Sequence, residues 1–180
     1  RGLSNIRSTP HSLKSYVSDS TKSLFTSLGI LTERELDARY EIKMEVYTKK
    51  LQIESRVMGD LAKNHIIPLA IRYQNTLIEN AIGLKEVLDH KTYVKLSKNQ
   101  VQTLKEISEH ISQIKSNTDD MLNERKIANR IDNPIDKAIA YNDKVKPYFE
   151  TIRYHVDKLE LLVDDALWPL PKYREMLFIK

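Results

Sequence analysis

Residues 32–61 read TERELDARYEIKMEVYTKKLQIESRVMGDL, and this stretch decides the fold. Leu36, Tyr40, Met44, Tyr47, Leu51, Met58 and Leu61 recur mostly at three- and four-residue steps, the period of one helix face. A second apolar file, Ile42, Val46, Ile53 and Val57, runs beside the first. Thr32 and Glu35 form a capping-box pattern at the start, in which each satisfies a backbone donor near the other. The reading is a long helix with a wide apolar face. Such width predicts burial against two neighbours.

The same period extends outward. Thr9 and Pro10 suit the N-cap and first position of an N-terminal helix, with a break near Asp19 and a stop at Gly29. Pro68 interrupts the long helix, but Ala70, Ile71, Leu77, Ile78, Ala81, Ile82 and Leu88 resume its period at once. One kinked helix and two abutting helices both satisfy this pattern. Asp89–Leu96 reads as a connection, and Ser97 with Gln100 as a second capping box. The next stripe is Val101, Leu104, Ile107, Ile111, Ile114, Met121 and Leu122. It predicts a helix to about Ile131, with a weak spot at Asn117–Asp120. Asn133 and Pro134 open a further helix, which Pro147 kinks or splits. Strand-like alternation is absent, as are tandem repeats. The expected fold is all-α: an antiparallel bundle of three to four long helices, short N-terminal helices and a docked Pro-rich C-terminal tail.

Composition sets the outer bounds. A chain of 180 residues can bury one core. Four glycines and six prolines are too few for a turn-rich β fold. No apolar run approaches a membrane span, and residues 1–30 lack signal-peptide patterning. Zero Cys excludes disulfides and thiolate metal sites. The chain opens at Arg1 with no initiator Met, which predicts a piece of a longer protein or a processed product. The +4 formal charge is evenly spread, 13 Lys/Arg against 11 Asp/Glu in residues 1–90 and 16 against 14 in residues 91–180. Neither half therefore offers the basic stripe that nucleic acid requires.

Chemistry-bearing motifs are missing. None of His11, His65, His90, His110 and His155 follows an acidic residue at three positions, so the Glu-x-x-His of bundle di-metal sites is absent. There is no His-Glu-x-x-His, phosphate loop, dinucleotide fingerprint or Gly-x-Ser-x-Gly. Asp119 with Asp120, and Asp164 with Asp165, point about 100° apart on a helix and cannot share a ligand. Nine tyrosines against three phenylalanines suit half-buried contacts with wet hydroxyls. The candidate packing or interface anchors are Trp168, Tyr173, Phe178, Tyr73 and Arg72, residue types that contact surfaces favour. Trp168 is placed to plug the bundle end and pin the tail that holds Pro169, Pro171 and Phe178.

Three short segments carry a resemblance: ARYEI (Ala38–Ile42), IIPLAIRYQN (Ile66–Asn75) and WPLPKY (Trp168–Tyr173), with Asp157, Lys158, Leu159 and Glu160 between the last two. Together they make the chain resemble the C-terminal helical domain of type III glutamine synthetases over nearly its whole length. That resemblance implies a cytoplasmic bacterial parent that ligates ammonia to glutamate with ATP and Mg or Mn. It implies a catalytic domain in the same chain and a homo-oligomer, a dodecamer in that family. None of the three segments is a catalytic motif, so no catalytic, cofactor or metal residue carries over. The implied role is structural or in assembly, with residues 1–37 at the junction with the catalytic domain and 38–180 as the bundle. The alternative from another class is a stand-alone helical interaction module with a groove for a partner helix. Neither a membrane nor nucleic acid is expected as a partner.

Overall fold

A computed structural model describes residues 5–177, apart from the side chains of residues 173 and 174. The chain is an all-α helical bundle, with no strand among the described residues. The helices are α1 (Thr9–Leu13), α2 (Asp19–Ser27), α3 (Glu33–Asp60), α4 (Ile67–Val87), α5 (His90–Asn129), α6 (Pro134–Ala140), α7 (Pro147–Leu162) and α8 (Tyr173–Leu177). A 3₁₀ turn, Lys14–Val17, separates α1 from α2.

Local chemistry fixes most boundaries. Glu35 Oε2 accepts from the Thr32 backbone N–H at 2.8 Å, and Thr32 Oγ1 accepts from the Glu35 N–H at 3.3 Å. The capping box is thus formed. Asn133 Oδ1 accepts from the backbone of Ile135 and Asp136, with Pro134 in the first turn of α6. Gly29 ends α2 at φ 65°, a backbone conformation that suits glycine. At the N-terminus the cap is Ser8, one residue before the expected Thr9.

One expected boundary was misplaced. Asp89 to Leu96 is not a connection. Asp89 Oδ1 accepts from the Lys91 and Thr92 N–H groups at 3.1 Å and starts α5 directly. Ser97 lies buried within the helix. The helix then runs through Asn117–Asp120 without interruption.

The two internal prolines share one solution. Each follows a π-helical turn, Leu61–Ile66 before Pro68 and Tyr141–Val145 before Pro147. The residue before each proline donates to a carbonyl five residues back, Ile67 to Ala62 and Lys146 to Tyr141. A proline ring collides with the carbonyl four residues earlier and offers it no N–H. Widening the preceding turn absorbs both defects. Helical backbone therefore continues from Glu33 to Val87.

The chain divides into two compact units, Arg1–Val57 with Asp120–Phe149, and Met58–Asp119 with Glu150–Lys180. In the first, Tyr40, Met44 and Ala138 form a buried cluster against which Leu13, Val17, Tyr47 and Ile135 pack. Tyr47 Oη donates to Asn142 Oδ1 at 2.7 Å, and Asn129 Oδ1 accepts from both Tyr141 Oη at 2.7 Å and Gln52 Nε2 at 2.9 Å. The hydroxyls of Tyr47 and Tyr141 are thus bonded within the protein. Burial pushes both phenols up.

In the second unit, Leu69, Ala70, Ile107, Ile114, Ile152, Leu159 and Val163 are buried. Gln74 Nε2 ties α4 to α5 through Ser108 Oγ at 2.7 Å. Lys63 and Lys115 both pair with Asp119. Their hydrogen bonds, Lys63 first, hold its carboxyl down at about 2. After α7 the tail turns at Asp164–Trp168. Lys172 Nζ donates to the Glu160 carbonyl at 3.3 Å and pairs with Asp165.

Candidate functional site

The two apolar files of α3 have opposite fates. Leu36, Tyr40, Met44 and Leu51 are buried, and Tyr47 is half-buried. Ile42, Val46, Ile53 and Val57 are each at least half exposed. The expectation that a wide face is covered on both sides is overturned for this second file. Its spacing of four, seven and four residues keeps it on one side of the helix. Isolated exposed aliphatics are ordinary on a protein surface, whereas an aligned row marks a contact surface. A shallow depression of about 480 Å³, lined by Glu35, Ala38, Arg39, Ile42 and Lys43, opens where the row begins.

Beside α3 lies a polar cleft of about 400 Å³. Glu41, Glu45 and Asp132 face it together with Lys49 and Lys137. The mixture of signs gives it no single ligand charge. Among the described residues no group of three or more His, Asp or Glu side chains is placed to hold a metal ion.

The expected anchors are divided among separate elements. Arg72 is exposed and Tyr73 half-buried on α4, and Trp168 is half-buried in the turn after α7. Tyr173 opens α8, and Phe178 lies outside the described residues. Sequence reasoning passed over Lys172, whose contacts hold the tail to the end of α7. It took His110 on α5 and His155 on α7 one at a time and missed their pairing, in which the Nδ1 atoms meet at 3.0 Å. Burial, and then His110, lower the His155 pKa. No local spacing could reveal a pair separated by 45 residues.

The fold and its surfaces define a helical-bundle domain whose notable features are faces. Comparison with known proteins finds similarity to one family. Residues 1–85 match the glutamine synthetase C-terminal domain. Over 180 residues the chain is 47% identical to a glutamine synthetase of Bacteroides fragilis (strain YCH46), covering 100% of this chain and 25% of that protein. It is 29% identical to a type-3 glutamine synthetase of Dictyostelium discoideum, covering 100% and 24%. It is 26% identical to a glutamine synthetase of Butyrivibrio fibrisolvens, covering 99% and 25%. The chain is thus similar to glutamine synthetases, a type-3 enzyme among them, and its residues 1–85 to their C-terminal domain. It spans about a quarter of the length of the curated relatives it matches. Among the described residues no helix is long and apolar enough to cross a membrane.

Proposed function

We propose that this domain serves a glutamine synthetase as a non-catalytic brace, docking the exposed file of α3 against the remainder of the same chain. The parent reaction would be the ATP-dependent ligation of ammonia to glutamate, with ATP and Mg or Mn held elsewhere in that chain. The observation that carries the reading is the row Ile42, Val46, Ile53 and Val57, left in water by the domain's own core. Covering such a row removes apolar surface from water at about 25 cal/mol per Å². The occupant is argued from length. The relatives are about four times as long as this chain, so they hold ample protein to cover the face.

The parent is further proposed to be a cytoplasmic homo-oligomer, a dodecamer as the family resemblance implies. The test is a full-length synthetase carrying Val46→Glu with Ile53→Glu. Docking predicts that the variant loses thermal stability and activity while the 180-residue domain carrying the same changes keeps its helicity. A full-length variant with unaltered melting and activity would remove the brace.

A further inference from the structure

The histidine pair belongs to the second unit and has no part in the proposed docking. His110 and His155 occupy equivalent positions on their helices. On α5, His110 is flanked by buried Ile107 three residues before and buried Ile114 four residues after. On α7, His155 is flanked in the same way by buried Ile152 and Leu159. Each imidazole therefore projects from the margin of a buried stripe whose packing fixes the backbone beneath it. Both histidines are half-buried. Their ring centroids are 5.2 Å apart with planes tilted by 50°. The Tyr154 ring meets His155 edge-on at 5.1 Å.

We propose that His110 and His155 form a two-imidazole chelate for a late first-row transition-metal ion, Cu²⁺ or Ni²⁺, that clips α5 to α7. Imidazole nitrogens suit these ions. Metal–nitrogen bonds of about 2.0–2.1 Å are usual for imidazole. With bonds of that length, nitrogens 3.0 Å apart subtend roughly 95° at the ion. That is close to the right angle between neighbouring ligands in tetragonal Cu²⁺ and Ni²⁺ sites, and it is narrow for a tetrahedral ion. In the metal-free pair one Nδ1–H donates to the other Nδ1. When an ion binds, that proton transfers through solvent to Nε2 of the same ring. Both Nδ1 lone pairs are then free, and the neutral pair loses no net proton. Water fills the remaining positions. Mg²⁺ and Mn²⁺ prefer oxygen ligands and are excluded by the donor set.

The test titrates the 180-residue protein with CuCl₂ and reads the electron paramagnetic resonance spectrum and the thermal midpoint. The expected result is one tight equivalent of Cu²⁺ coupled to two imidazole nitrogens and a rise of several degrees in melting temperature. Both signals should be lost in His110→Asn and in His155→Asn, kept in His65→Asn, and absent when MgCl₂ replaces CuCl₂. Coupling to fewer than two imidazole nitrogens in the unaltered protein would overturn the proposal, whatever the variants do. Equal binding by the unaltered protein and both variants would show an adventitious ion only and would overturn it as well.

Discussion

Leu51 and Ile53 stand two residues apart on α3 and meet opposite surroundings: Leu51 is 4% exposed and Ile53 is 65% exposed. Two residues turn a helix through about 200°, so the pair marks its two apolar sides. One side builds the domain. The other, in the reading proposed above, joins the domain to a larger protein.

The first prediction separates these sides by stability. Leu51→Ala removes buried methyl groups and leaves a cavity, which should cost about 2–5 kcal/mol. Ile53→Ala in the isolated domain should stay within about 0.5 kcal/mol of the unaltered protein, as exposed substitutions do. Urea unfolding followed by circular dichroism measures both. A large loss at Ile53 would show that its side chain supports the domain's own fold.

Tyr47→Phe tests the polar contact between α3 and the π turn. The hydroxyl donates to Asn142 at 2.7 Å. Removing it should cost about 1 kcal/mol, because the net worth of a partly buried hydrogen bond is modest and Asn142 loses a donor. The urea midpoint should fall with an unchanged slope.

Thr118 offers a stabilising change. Its Oγ1 is buried on α5 and has no hydrogen-bond partner among the described residues. Thr118→Val keeps the side-chain shape and removes the uncompensated oxygen. The melting temperature should rise, by a stability gain on the order of 1 kcal/mol.

The Asp119 contacts carry a pH dependence. Its folded pKa is depressed to about 2 by Lys63 and Lys115. The stabilisation is therefore present above the unfolded carboxylate value and is lost as pH falls through the folded one. Asp119 is 40% exposed, so solvent screening keeps the worth of these pairs to about 1 kcal/mol or less. Asp119→Asn should lower the melting temperature at pH 7, and the gap should close toward pH 2. A gap that persisted undiminished at pH 2 would assign the effect to something other than charge.

The sequence revealed what local chemistry controls. Thr32 with Glu35, Asn133 with Pro134, and Gly29 each act on their own backbone, so their spacing in the chain suffices. The start of α5 was hidden because Val94 and Leu96, in its first turns, are exposed and give no stripe. Ser97 and Gln100 also mimic a cap in mid-helix. The π turns escaped notice because a proline in a helical pattern is compatible with a kink, a break or a widened turn. The fate of the second file on α3 was illegible for a deeper reason. A core face and a docking face have the same hydrophobic period, and only the packed neighbours tell them apart. His110 and His155 are brought together by the packing of two distant segments, which no motif encodes.

The most direct test of the docked face uses the absence of cysteine from this chain. Ile53→Cys places one thiol in the exposed file, and its alkylation rate can be read at that peptide by mass spectrometry. Labelling should be fast in the isolated 180-residue domain and strongly slowed in a full-length synthetase carrying the same change. Equal rates in the two proteins would show that the face remains in water and would contradict the account.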